Sequence, residues 1–290
     1  MLEVMNIQQT TANLKILVNK DNYFYSMQIA PPQILSDVVK HFLVLEQDEA
    51  VLRHHRLSPD GHAGIVCCYR EPFAKSDEAL LPRSFVYGQI SRFHDLLSGV
   101  HTGMLVVVLQ PYTLHLLTGI PAQELTDQLI SMPLIFGPAW QDLEDSLIRA
   151  ADHHVRLKLV IHFLIQQLQQ RHAHADNMIR QALPLIYQSK GWMQITSLCT
   201  GLHISERQLE RKFREQIGLS PKQFLRTIRF RQLLKALQQR PSPALTQLAF
   251  DAGYYDQPHF NREFRMLAGI TPKAYQSARL LALNYIQLPA

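Results

Sequence analysis

Cysteine is scarce: only Cys67, Cys68 and Cys199 occur among 290 residues. Three thiols cannot build a disulfide framework, and a bridge between the neighbours Cys67 and Cys68 would close a strained ring, so a reducing compartment fits. Long apolar runs are also missing. The longest, such as Met104–Leu109, are strand-sized, well short of the ~18 residues that suggest a membrane helix. The start, Met1-Leu2-Glu3-Val4, has no basic stretch followed by an apolar core, so no export signal is expected. The expected location is cytoplasmic, with no membrane partner. Charged residues make up 18% against 47% hydrophobic, a balance that supports packed cores and leaves little room for disordered tails.

Motifs of enzymatic and metal chemistry are absent as well. There is no glycine-rich phosphate loop, no nucleophile elbow and no cysteine pair with zinc-finger spacing. His54-His55, His153-His154 and His162 lack the spacing of metal-binding barrels, and His172 and His174 have no acidic or cysteine partner arranged for zinc. No metal, cofactor or catalytic residue is therefore expected. Cys67-Cys68 reads as packing within a strand, with redox sensing as the alternative.

The charge that is present divides unevenly. Residues 178–290 hold 16 Lys and Arg against 6 Asp and Glu, a net of +10, whereas residues 1–177 carry a net of −5. A compact basic unit has the electrostatics of a polyanion binder, because each phosphate contact releases counterions. At 290 residues the chain is long enough for two domains. From Tyr23 to about Gly137, short runs rich in Val, Ile, Phe and Tyr (Ile65–Tyr69, Phe85–Tyr87, Met104–Leu109) alternate with turn formers such as Ser58-Pro59-Asp60-Gly61 and read as strands. Ile34–Leu45 and Ala122–Ile130 have apolar residues three and four apart and predict helices on the sheet. From Trp140 to Arg171 there is no Gly or Pro and the apolar positions are mostly four apart, which predicts one long or two stacked helices that pack on the β domain or pair two subunits. His172–Asn177 is the expected linker. The fold class is α+β: a β-rich, barrel- or sandwich-like domain with flanking helices over 1–138, a helical segment over 139–175 and an all-α unit over 176–290.

The all-α unit repeats itself. Ile195-Thr-Ser-Leu-Cys199 resembles Leu245-Thr-Gln-Leu-Ala249 at an offset of 50, and Ser205–Arg214 matches Asp256–Arg265 at an offset of 51. The match continues through Gly218-Leu-Ser-Pro-Lys222 against Gly269-Ile-Thr-Pro-Lys273. Each copy reads as a short helix with small or apolar residues, a tight turn, and a second helix capped by Ser205 or Asp256, with Gln208 completing a capping box in the first copy. Leu209 with Phe213, and Phe260 with Phe264, lie four apart on one buried face. This is the helix-turn-helix pattern, whose second helix enters the major groove of DNA. The predicted recognition helices are about 205–217 and 256–267, joined by a basic helix from Pro221 to about Gln239.

With those apolar pairs buried, the first outward face carries Arg207, Gln208, Glu210, Arg211 and Arg214. The second carries Gln257, Pro258, His259, Asn261, Arg262 and Arg265. Arg pairs bidentately with guanine and Asn or Gln with adenine, so these side chains, with Lys222 for phosphate, form the candidate DNA-binding set.

These residues give the region a family resemblance. Ala249, Gly253-Tyr254, Asp256, His259-Phe260, Arg262, Phe264, Gly269, Thr271-Pro272 and Tyr275 stand in the spacing of the AraC-type (AraC/XylS) DNA-binding domain, which residues 180–284 resemble. The first motif departs from it, with Cys199 where Ala is usual and His203 where Gly is common. More weakly, Leu57-Ser-Pro-Asp-Gly61, Leu109-Gln-Pro111 and Pro121-Ala-Gln-Glu-Leu125 resemble an uncharacterised sensor-like domain found ahead of some AraC-type units. The resemblance implies a sequence-specific transcription regulator acting on double-stranded promoter DNA. It further implies RNA polymerase as a partner, a small-molecule effector or dimerisation controlling it through the N-terminal domain, and a homodimer. The strongest base discrimination is expected from the arginine-rich first motif. Alternatives are a cytosolic enzyme with a catalytic N-terminal β domain fused to a DNA-binding control unit, or a nucleic-acid binder without sequence preference.

Overall fold

The short apolar runs of the first 131 residues form strands, as their β-branched and aromatic content predicts. The computed structural model describes residues 12–19, 22–48, 51–75, 79–171, 176–239, 244–282 and 284–288. Most of the expected linker His172–Asn177 lies outside the described residues, as do His172 and His174. The strands are β1 (Ala12–Asn19), β2 (Asn22–Ile29), β3 (Val39–Asp48), β4 (Arg53–Leu57), β5 (Gly64–Cys68), β6 (Ala74–Lys75), β7 (Ser84–Tyr87), β8 (His94–Ser98) and β9 (His101–Leu109). After β9 come helix α1 (Thr113–Thr118), β10 (Leu129–Ser131) and helices α2 (Met132–Phe136), α3 (Pro138–Arg149) and α4 (His153–Arg171). The C-terminal part holds α5 (Asn177–Gln188), α6 (Ile195–Leu202), α7 (Glu206–Gln216), α8 (Pro221–Leu237), α9 (Leu245–Asp251), α10 (Gln257–Ala268) and α11 (Pro272–Ser277), then strands β11 (Arg279–Ala282) and β12 (Tyr285–Gln287).

Two antiparallel sheets face each other, one ordered β1-β2-β3-β9-β5-β7-β10 and the other β11-β12-β4-β8-β6. Successive strand residues point to opposite faces, and the larger sheet is apolar on both. Ile65, Cys67, Leu105, Val107 and Leu109 join one core with Trp140, Leu147, Val160 and Phe163 of α3 and α4. Their neighbours Val66, Cys68, Met104, Val106 and Val108 join a second core between the sheets with Phe73, Leu96 and Tyr285. The adjacent thiols therefore serve different cores; both are free and buried, and burial pushes the Cys68 thiol up to about 12.

Two local expectations are corrected here. The helix expected over Ile34–Leu45 is a 3-10 turn at Gln33–Leu35 followed by β3, and the one expected over Ala122–Ile130 is a 3-10 turn at Ala122–Glu124 followed by β10. β3 lies between β2 and β9 with both faces covered, so its near-continuous apolar run does not alternate as a half-exposed strand would. The helical segment is two helices, broken where the Asp152 carboxylate accepts the Val155 N–H at 2.9 Å to start α4. Its buried face belongs to the core of the larger sheet.

The repeat is visible in space. In the first copy α6 and α7 pack through Leu198, Cys199, Leu209 and Phe213; in the second, α9 and α10 pack through Leu248, Ala249, Phe260 and Phe264. Both turns use a left-handed residue, His203 at φ 53° and Gly253 at φ 62°, followed by an N–H bonded back to Cys199 or Ala249. The change of offset from 50 to 51 is one extra residue after that turn, Tyr255, which stands 90% exposed. The end of the chain leaves the all-α unit: β12 pairs with β4 of the smaller sheet, in the register Tyr285 to Leu57.

Candidate nucleic-acid interface and an interior cavity

Local rules place the outward faces of α7 and α10. Ser205 and Gln208 form a reciprocal capping box at the start of α7, and Asp256 accepts the His259 N–H at 2.7 Å to start α10. With Leu209, Phe213, Phe260 and Phe264 held in the cores, Arg207, Gln208, Arg211 and Arg214 stand exposed on α7, and Pro258, His259, Arg262 and Arg265 on α10. Arg207, Arg211, Arg262 and Arg265 make no ion pair or hydrogen bond among the described residues. A shallow depression bounded by Ser205, Arg207, Gln208, Glu210 and Arg211 runs along the first face.

The other candidates are partly engaged. The Gln208 side-chain oxygen accepts the Ser205 N–H at 3.0 Å, and Glu210 accepts Arg214 Nε at 2.8 Å. The Gln257 side-chain oxygen accepts the Thr246 hydroxyl at 3.1 Å, which ties α10 to α9. Asn261 is half-buried, and its Oδ1 has no partner among the described residues.

Helix α8 joins the two motifs, and four of its five basic residues part company. Lys222 is exposed. Arg226 donates to Glu263 on α10 at 2.9 Å, Arg229 donates to the Gly191 carbonyl at 2.8 Å and lies over the Trp192 ring, and Arg231 turns to the β domain. The first motif also abuts the β domain, with Thr126 donating to the Gly218 carbonyl at 2.9 Å and Tyr112 and Leu116 inside its core.

Below Arg231 a cavity of about 410 Å³ opens between the two sheets. It is lined by apolar Leu43, Phe85, Leu96, Met104, Val106 and Val108, by polar Ser26, Asp60, His62, Tyr87 and His94, and at its less buried mouth by Gln28, Lys40, His41, Arg231 and Gln238. A bulge in the pairing of β3 with β9, between Val39 and His41, brings the consecutive side chains Lys40 and His41 to one site. The hairpin β11–β12 closes a further wall with Ala282, Asn284 and Tyr285. Burial, aided by Lys40 and Arg231, lowers His41 to about 4, so it is neutral near pH 7. Burial also outweighs Arg231 at Asp60 and pushes that carboxyl up to about 6. Nothing in the sequence pattern relates Lys40 and His41 to Arg231 of the basic joining helix, because a bulge and a cross-chain approach leave no periodic signal.

Comparison with known proteins follows this division. Residues 198–278 match the family described as Helix-turn-helix domain, and residues 27–131 match the Domain of unknown function (DUF6597). The C-terminal unit is an AraC-type DNA-binding domain. The chain is similar to the HTH-type transcriptional regulator GbdR of Pseudomonas aeruginosa, 31% identical over 100 residues, which cover 33% of this chain and 26% of that protein. It is 26% identical over 125 residues to the HTH-type transcriptional activator RhaS of Pectobacterium carotovorum, covering 40% and 43%. The chain thus spans less than half the length of these curated relatives. Among solved structures, the AraC-type regulator from Chromobacterium violaceum is similar at 25% identity, with 34% of this chain and 89% of that chain covered and a TM-score of 0.33. ToxT from Vibrio cholerae is similar at 9% identity, with 81% and 97% covered and a TM-score of 0.43. In the AraC-type unit of this chain, α7 and α10 are the second helices of the two motifs.

Proposed function

We propose that the protein is a sequence-specific transcription regulator that reads promoter DNA through α7 and α10. The observation that carries this is the pair of capped helices on which Arg207, Arg211, Arg262 and Arg265 point outward with no partner among the described residues, joined by one helix within a matched helix-turn-helix unit. Arg207, Gln208, Glu210, Arg211 and Arg214 would read the first groove segment, and Gln257, Pro258, Asn261, Arg262 and Arg265 the second. Lys222 would hold phosphate between them. The engagement of Glu210 with Arg214 makes Arg207 and Arg211 the principal readers of the first face. Such a regulator works in the cytoplasm beside RNA polymerase, under the control of a small-molecule effector in the cavity or of dimerisation through α3 and α4.

The test is binding of the full chain to promoter fragments and to random DNA of equal length at several salt concentrations. Tighter binding to one promoter segment, persisting as salt rises, is expected. Equal affinity for both DNAs at every salt concentration would overturn sequence-specific regulation in favour of a non-specific binder.

A further inference from the structure

We propose that the cavity between the two sheets binds an organic monoanion with an elongated apolar body, its charged head at Lys40 and Arg231 and its body along the sheet walls. This names the effector class for the regulator proposed above and rests on that reading for its biological consequence.

Charge, polarity and position each support it. Lys40 from β3 and Arg231 from α8 both line the cavity, Lys235 lies one turn further along α8, and partial burial together with the Arg231 charge lowers the proton affinity of both lysines. Arg231 Nε is buried with no hydrogen-bond partner among the described residues, and neither Arg231 nor Lys40 makes an ion pair there. Like charges gathered in a half-buried mouth are costly unless an anion sits among them, and a guanidinium beside an ammonium suits a carboxylate. Asp60 is the single carboxylate among the described residues that line the cavity, and because burial raises it to about 6 its opposition to an incoming anion weakens as pH falls below 7.

The walls then choose the body. Leu43, Phe85, Leu96, Val106 and Val108 make most of the wall carbon surface, with polar atoms only at separate points such as Ser26, Tyr87, His94 and Tyr285, so a body mainly of carbon fits it better than a compact inorganic anion or a sugar that is polar all round. Among the described residues no group of three His, Cys, Asp or Glu could hold a metal ion, so the cluster does not read as a cation site. The head would touch both the β domain and the helix that joins the two motifs, while the body would lie against the hairpin that follows the second motif.

The experiment is calorimetric titration of the full chain with octanoate, octan-1-ol and acetate, with the melting temperature followed in parallel. Octanoate is expected to bind one per chain and to raise Tm with concentration, octan-1-ol to bind at least tenfold more weakly, and acetate not at all. Arg231→Gln and Lys40→Glu should each weaken octanoate at least tenfold with far-ultraviolet circular dichroism unchanged. If Arg231→Gln does not fold, Lys40→Glu, at an exposed position, decides. Equal binding of octanoate and octan-1-ol, or no octanoate binding up to millimolar concentration, would overturn the inference. A gel shift on the same sample separates the two readings. Promoter binding without octanoate binding removes this inference and leaves the regulator; octanoate binding without any DNA binding does the reverse.

Discussion

Arg207 and Lys222 are both exposed basic residues near helix N-termini, yet they differ in what they can recognise. Arg207 lies in the first turn of α7, where a fork of donors can meet a base edge, so Arg207→Ala is expected to cost about 1–3 kcal/mol on the matched site and to relax preference at one base position. Lys222→Ala should weaken all sequences alike. Competition titrations against single-base variants of the site check both, and a uniform loss for Arg207→Ala would reassign that residue to phosphate. Asp60 gives a prediction of the opposite kind. Its carboxyl is raised from 3.8 to about 6 chiefly by burial, so ionisation opposes folding above pH 6 and the cost disappears as pH falls below 3.8. Asp60→Asn should therefore stabilise the protein above pH 6, by at most about 3 kcal/mol, and change nothing near pH 3.5. The side-chain oxygen that accepts the His62 N–H can be kept by Asn. Denaturant unfolding at several pH values measures it; a gain that does not fade in acid would point to another cause.

Among the elements, the first turn and the last hairpin are the informative ones. His203 occupies the left-handed position that Gly253 fills in the second motif, and a non-glycine residue is strained there. His203→Gly is expected to stabilise by about 0.5–1 kcal/mol, the strain relief exceeding the entropy cost of glycine. A lower denaturation midpoint would show that the imidazole makes a useful contact. In β12 the alternation of a strand is divided between two halves of the molecule: Tyr285 enters the core between the sheets, and Ile286, fully buried, enters the core of the second motif with Phe230, Phe260 and Phe264. Ile286→Ala should cost about 2–5 kcal/mol, with amide exchange rising in α10 and β4 together. Faster exchange in α10 alone would mean that the hairpin does not couple them. The helix-turn-helix elements were legible because capping, four-residue spacing and the internal repeat are local rules. β3 was misread as a helix because a strand covered on both faces loses its alternation, β10 because a three-residue edge strand is too short to show a period, and the hairpin was missed because its partner strand lies more than 220 residues earlier.

For the whole molecule, the net charge of +10 beyond residue 177 predicts a steep fall of DNA affinity with salt. A slope of log affinity against log salt that is flatter for the Lys222→Ala variant by about 1 is expected. The α8 helix carries Arg231 at the cavity and Lys222 near the proposed DNA face, and it joins both motifs. Any ligand held at Arg231 thus acts on the element that sets the separation of α7 and α10. Linkage then requires that octanoate and promoter DNA change each other's affinity by the same factor, which paired titrations measure.

The sequence alone determined the C-terminal unit: its repeat, its caps, its buried aromatic pairs and its outward arginines all follow from neighbours within one or two turns. It also determined that strands precede it. Only the tertiary structure decided that Lys40 and Arg231 share a mouth, that the two faces of the larger sheet serve separate cores, and that the final hairpin completes a sheet begun by β4. The physical reason is range. Helix caps and turns are satisfied by atoms close along the chain, whereas a cavity and a completed sheet bring together groups that no local periodicity relates.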